Sequence, residues 1–321
     1  MFMPIAAAKS SNMTHSTKDK KHISLVSLLS SYNTIFFETL AGNNGDRLIQ
    51  EGATLLLDES GCQLADSPDA ADMIFINGGG AMNDMWQGGL EKLQYYASKY
   101  PRTPIVVGPS SFYLQTSTLD DILGKRVAST TIFCRDQKSM EILESEGSSN
   151  ETILFGERDL AFNIDFSHLL TKYNGTGHAR DKLLIAMRVD RESNSETPLQ
   201  KLRAPWLPPS IRRPLARLKS RLIANASGSV LESAIVEFTS SEEIGENLSR
   251  YYCDVSTSMS FEDFVHTVAS ARAVITDRLH VAILSHISKT KCLLLPGAYH
   301  KNQSVFEYSL ASSKYVKFRS I

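Results

Sequence analysis

The chain has 321 residues, 42% of them hydrophobic and 21% charged, with 34 Lys and Arg against 35 Asp and Glu. That length allows two ordinary domains, each with its own core, and the near-neutral balance argues against nucleic acid as a partner. No stretch reaches the ~18 consecutive apolar residues of a membrane-spanning helix, and Cys62, Cys134, Cys253 and Cys292 are far apart, without a C-x-x-C pair.

The thiols therefore read as small buried hydrophobes in a reducing, cytoplasmic protein, and no His or carboxylate spacing suggests a metal site. Residues 1–21 carry too short an apolar stretch for a signal peptide and read as a mobile tail. Ile23 to Leu29 allows a leading helix, and Thr34-Ile35-Phe36-Phe37 is the first strand, followed by a glycine-bearing turn and a helix from about Asp46. Further strands are predicted at Met73 to Ile76, Ile105 to Val107, Thr131 to Phe133 and Ile153 to Phe155, each followed by turn chemistry and mostly by helical pattern. After the Asn174-Gly175-Thr176-Gly177 loop, Leu183 to Met187 opens a second series that continues through Ile235 to Phe238, Val274 to Thr276 and Cys292 to Leu295. The alternation predicts an α/β chain with two Rossmann-like domains facing across a cleft, residues 22–170 and 181–321, with the boundary near 165–181.

One stretch departs from that rhythm. Residues 201–222 hold seven Lys or Arg, no acid, four prolines and Trp206. They read either as a solvated proline-rich insertion or as a short basic amphipathic element, with Leu215, Leu218 and Leu222 on one face, lying at an anionic lipid surface.

The most informative segment runs from Ala273 to Lys301. A β-branched strand ends at Thr276, helical spacing begins at Leu279, and Asp277, Arg278 and His280 fall at the turn between them. A second apolar strand ends at Pro296, so Tyr299, His300 and Lys301 follow at the same end of the predicted sheet. Ligands of open parallel sheets bind at that end, which makes a small-anion site the natural reading.

These residues also resemble the signature of the polysaccharide pyruvyl transferase family, TDRLH followed about twenty residues later by Tyr-x-Lys. Other pieces are similar in the same order: Asn44-Gly45-Asp46 with Leu48-Ile49, the Gly78-Gly79-Gly80 triplet with Asn83 and Trp86, Arg135-Asp136-x-x-Ser139, and Arg188-x-Asp190-x-Glu192. Val281 stands where the family commonly has glycine, and the loop before Lys301 reads Gly-Ala-Tyr-His rather than an asparagine-bearing turn, so no acceptor sugar can be carried over. The resemblance implies a glycosyltransferase-B-like fold and transfer of pyruvate, as a ketal, from phosphoenolpyruvate to a sugar of an exopolysaccharide or cell-surface polysaccharide. With the basic stretch, it makes a polyprenyl-diphosphate-linked acceptor and peripheral membrane contact the expected partners. No cofactor is expected beyond phosphoenolpyruvate as donor. A nucleotide-sugar glycosyltransferase of the same fold and a non-catalytic assembly subunit are the alternatives.

Such a reaction asks for cations, a proton donor and a base. Guanidinium forks bind carboxylate and phosphate in bidentate fashion, so Arg188, Arg278 and Lys301, which match the family's motifs, are the expected donor ligands. At the sequence level Arg278 can equally pair with Asp277 or Glu307, and Arg188 with Asp190 or Glu192. His280 is the candidate acid, since histidine titrates nearest the working pH. Asp46 is the candidate base or, alternatively, a cap of the helix it begins. Gly79 and Gly80 allow close backbone approach to an anion or simply make a tight turn. Asn83, Trp86 and Asn44 are the candidate acceptor contacts, with Trp86 in the core as the other reading. Arg135 and Asp136 read as an inter-element bridge or helix cap.

Overall fold

The computed structural model describes residues 23–86, 88–146, 152–173, 181–188, 228–245 and 248–320, with positions 214, 218 and 222. The 1–21 tail and, apart from those three positions, the basic 201–222 stretch lie outside the described residues.

Two parallel sheets carry the chain. The first is built from β1 (Thr34–Glu38), β2 (Gln63–Leu64), β3 (Met73–Ile76), β4 (Gly79–Asn83), β5 (Ile105–Tyr113), β6 (Thr130–Cys134) and β7 (Thr152–Gly156), in the order β2-β1-β3-β5-β6-β7 with β4 beside β5. The second contains β8 (Lys182–Ala186), β9 (Ser249–Tyr252), β10 (Ala273–Thr276), β11 (Lys291–Leu294) and β12 (Val316–Phe318), in the order β12-β11-β10-β8-β9. The helices are α1 (Leu25–Leu29), α2 (Asn44–Ser60), α3 (Gly88–Lys99), α4 (Leu119–Leu123), α5 (Gln137–Glu146) and α6 (Phe166–Lys172) around the first sheet. Those of the second are α7 (Gly228–Ser241), α8 (Val255–Ser258), α9 (Phe261–Ala269), α10 (Leu279–Ile287) and α11 (Lys301–Val305). Two Rossmann-like domains, as expected, follow from strands that are apolar on both faces and so need helices on both sides. Along β3, Ile74 and Ile76 enter one core layer while Met73 and Phe75 enter the other.

One predicted strand is a helix. Ile235 to Phe238 belongs to α7, and the β-branched pair Ile235-Val236 misleads. Leu231, Ala234, Ile235 and Phe238 are buried at spacings of three and four while Val236 is 58% exposed, which is one helical face. The strand of that region is instead β9, a polar edge of sequence Ser-Arg-Tyr-Tyr without an apolar signal.

In each sheet the chain steps first to one side and then to the other. The switch lies between β1 and β3 in the first sheet and between β8 and β10 in the second. Crevices at the carboxyl ends of such strands are where open α/β sheets bind ligands.

The domains share an apolar layer. Leu48 on α2, Ala161, Ile164 and Leu169 from the first half pack in one cluster with Phe264, Val265, Leu279 and Ile283 from the second. At its margin the buried Glu51 carboxylate accepts from Arg47 Nε at 3.2 Å, Lys172 Nζ at 2.5 Å and Tyr173 Oη at 2.7 Å, tying α2 to the end of α6. Burial raises the Glu51 pKa, but the three donors outweigh it and leave the carboxyl below its ordinary 4.5. A depressed carboxyl adds stability above its unfolded pKa and loses it as pH falls through the folded value. Glu51→Gln should therefore cost about 1–3 kcal/mol at pH 7. The gap from wild type in urea unfolding should narrow as pH falls below the ordinary 4.5, and a gap that stays constant on acidification would remove the charge from this account.

Candidate functional site

The two switch points face each other, and their strand ends deliver the side chains. On the first sheet, the turn after β1 leads into α2 through a capping box: Asn43 Oδ1 accepts from Gly45 N at 2.7 Å and Asp46 Oδ2 accepts from Asn43 N at 2.7 Å. Asp46 thus occupies the third helical position and satisfies an otherwise orphaned backbone donor. Asn44 turns the other way. Its amide donates to Val255 O at 3.0 Å and Met259 O at 3.1 Å, which fastens the start of α2 to the second domain.

At Gly45 the domains approach closely. A Cβ there would lie 2.6 Å from His280 Nδ1 and 2.9 Å from His280 Cβ, so only glycine leaves room for the imidazole carried by the first turn of α10. The opposite edge of that ring meets the first domain again. His280 Nε2 lies 3.3 Å from Arg135 Nη1 and 3.4 Å from Asp159 Oδ2. Arg135 Nη1 and Asp159 Oδ2 themselves form a fully buried ion pair. Burial alone would raise the Asp159 carboxyl, but Arg135, His280 and the Ala161 N–H reverse that and hold it well below the usual carboxylate range. Arg135 Nε also donates to Ser111 Oγ at 2.9 Å.

The glycine triplet follows β3. Gly79 has φ +138°, a conformation that favours glycine. A Cβ on Gly80 would stand 3.2 Å from Arg135 Nη2 and 3.4 Å from Lys301 Nζ, so both cations reach the same point from opposite domains. Asn83, fully buried, closes the turn: Nδ2 donates to Gly80 O at 2.5 Å while Oδ1 accepts from Met85 N and Trp86 N at 2.9 and 3.0 Å. Trp86 on this turn is 37% exposed.

From the second sheet, Arg188 follows the end of β8 by two residues and Asp277 and Arg278 follow β10 directly, all three buried. Arg188 N donates to Asp277 Oδ1 at 2.7 Å. The Arg278 guanidinium grips Asp254 with two bonds of 2.5 Å, from Nε and Nη2, a partner not among those weighed from the sequence. Burial pushes the Asp277 carboxyl up to about 7, against the pull of Arg188 and Arg278. Lys301 Nζ lies 4.9 Å from the Tyr299 ring centroid, and that ring stacks on Tyr113 of β5 at 4.7 Å, another contact between domains. Asp190 and Glu192 lie outside the described residues.

Sequence reasoning placed His280, Lys301, Gly79 and Gly80 among the candidates, and they stand together. It passed over Arg135, assigning it to a bridge, and it did not single out Asp159 or Ser111. The available signal was an arginine directly after the apolar strand Thr130–Cys134, at the carboxyl end of the sheet. Asp136 matches its predicted structural part, accepting from Ser139 N at 2.9 Å at the start of α5 and from Ser111 Oγ at 2.6 Å. Among the described residues no cluster of metal-capable side chains occurs, and no helix is long and apolar enough to cross a membrane.

A sequence model of the polysaccharide pyruvyl transferase family matches residues 9–297. The chain belongs to that family and is a pyruvyltransferase. The crystal structure of an uncharacterized protein from Klebsiella pneumoniae is similar in fold, with a TM-score of 0.60 at 17% identity over 92% of this chain and 96% of that one. A comparison with curated proteins finds no match.

Because the contact is with ring and Cβ atoms of a partly buried residue, Gly45→Ala should displace His280 from Arg135 and Asp159 and cost about 1–3 kcal/mol of stability. A crystal structure of the variant with the imidazole unmoved would contradict this.

Proposed function

We propose that this pyruvyltransferase takes phosphoenolpyruvate as donor and forms a ketal on a sugar of an exopolysaccharide or cell-surface repeat unit, carried on a polyprenyl diphosphate at the cytoplasmic face of the membrane. The observation that carries the reading is the meeting of His280 from one domain with the Asp159-Arg135 pair and Gly45 of the other, beside Lys301 and the glycine turn.

In the proposed reaction His280 gives a proton to the methylene carbon of the enol phosphate, which becomes a methyl group. A sugar hydroxyl adds to the resulting cationic carbon, phosphate departs, and a second hydroxyl closes the ketal. Of the two hydroxyl protons lost, one replaces that spent on carbon and the other leaves with phosphate. Asp46, next to Gly45 on the first turn of α2, is the proposed base, a duty added to its capping bond. Arg188, Arg278 and Lys301 are the proposed donor ligands, with backbone approach at Gly79 and Gly80. The Arg278 guanidinium is already oriented by the buried Asp254 carboxylate and Arg188 is fixed at its backbone by Asp277, which supports a preorganised site. Trp86, Asn83 and Asn44 are the proposed acceptor side of the cleft; the amides of the latter two make internal bonds, so they act by shaping its wall. The lipid-linked acceptor rests on the basic composition of 201–222, where Leu218 and Leu222 are 54% and 40% exposed.

The protein incubated with phosphoenolpyruvate and a lipid-linked glycan should release inorganic phosphate and add a pyruvyl group to the glycan, read by mass spectrometry. Release of a nucleoside phosphate from a nucleotide sugar instead would replace this reading. His280→Ala should retain donor binding and lose about 10²–10⁴-fold in turnover; full activity would remove His280 from the chemistry. A second test uses Asp277, whose carboxyl at about 7 is mostly ionised at pH 7.5. An anionic donor beside it favours the protonated form. Donor binding should therefore take up protons, seen as a calorimetric enthalpy that varies with the buffer's ionisation enthalpy, and Asp277→Asn should flatten that variation. An equal slope in both proteins would detach Asp277 from the donor site.

A further inference from the structure

Arg135 is fully buried, yet one end of its guanidinium is unanswered. Nε donates to Ser111 Oγ at 2.9 Å and Nη1 to Asp159, whereas Nη2 has no hydrogen-bond partner among the described residues. A carboxylate that could meet it lies on the next residue. Asp136, however, is taken up by Ser111, Ser139 and Ser304. Buried charged donors are ordinarily satisfied, so a fixed Nη2 without an acceptor marks the place of an absent one. That place is defined from three sides. The atom lies 3.2 Å from where a Gly80 Cβ would be, Lys301 Nζ lies 3.4 Å from the same point, and Gly80 itself retains solvent exposure. Nη1 of the same guanidinium is 3.3 Å from His280 Nε2, so an oxyanion held here is next to the imidazole.

We propose that Arg135 Nη2 and Lys301 Nζ form a two-domain seat for one oxyanion of the donor, its carboxylate or its phosphate, with Gly80 kept free of a side chain to admit it. The inference rests on the enol-phosphate reading of the site and adds a ligand from the first domain to the cations of the second. A donor seated there spans the interface, joining β6 to α11.

The test is isothermal titration of the full-length protein with phosphoenolpyruvate, inorganic phosphate and pyruvate, with circular dichroism as the check on folding. Arg135→Lys keeps a charge opposite Asp159 but removes Nη2, and Gly80→Ala fills the seat while leaving Arg135, Asp159 and Lys301 in the chain. Both variants should bind phosphoenolpyruvate about 100-fold more weakly, equivalent to ~2.8 kcal/mol. The simple anion whose affinity falls in parallel identifies the group that occupies the seat. Should Arg135→Lys fail to fold, Gly80→Ala decides alone. Wild-type affinity in the folded variants would overturn the seat while leaving the donor reading intact. A wild-type protein that ignores phosphoenolpyruvate but binds phosphate or pyruvate, with that binding lost in both variants, would keep the seat and retire the donor. Binding of none of the three would end both.

Discussion

The arrangement depends on one buried carboxylate. Asp159 has about 1% of its surface exposed and holds a guanidinium of its own domain while meeting an imidazole of the other. An isolated charge in such a place would neutralise itself; this one stays ionised because Arg135 stands against it. Buried pairs of this kind contribute little net stability, since desolvation offsets their attraction. Breaking one is costly, which makes it a device for fixing position. The shared apolar layer of Leu48, Ile164, Leu279 and Ile283 holds the domains together without specifying register, because burial of apolar surface is non-directional. The polar contacts at Asp159 and at the Asn44 amide, with the tight fit of His280 against Gly45, supply the direction.

The same contrast explains what could be seen in the sequence. Strands buried on both faces announce themselves as apolar runs, so β3, β6, β10 and β11 fall within a residue or so of expectation. Their carboxyl ends identify where a site must lie, which is why His280 and Lys301 could be singled out from residue type and place. β9 was invisible because an edge strand of Ser-Arg-Tyr-Tyr has no burial pattern. α7 was misread because β-branched residues resemble a strand locally, although its buried positions keep helical spacing.

Partnerships across the interface were beyond the sequence for a different reason. Arg135 and Asp159 are separated by a helix and a strand, and His280 by more than a hundred residues, so only the folded register brings them within reach. Gly45 shows the limit well. A glycine before an aspartate at a helix start reads as turn chemistry, and the capping box confirms that part. Its second reason, room for an imidazole from the other domain, has no local trace.

The charges of the site form a resting balance. Arg135 faces Asp159 and Arg278 faces Asp254, so these two guanidinium groups are oriented before any anion arrives, and Arg188 is tied to Asp277 through its backbone N–H. A rigidly neutral cluster would gain little from a multiply charged ligand, because each cation would already be fully compensated. In the proposed reaction Asp277 relieves that constraint. Its carboxyl lies near neutrality in pKa, so at physiological pH it can surrender its charge by taking a proton, leaving Arg188 and Arg278 with less local compensation as negative charge enters. Asp159, held far below neutrality, cannot do this and keeps Arg135 and His280 in place throughout. The two carboxylates thus differ by environment: at Asp159 the charged and N–H partners outweigh burial and the group stays ionised, while at Asp277 burial outweighs Arg188 and Arg278.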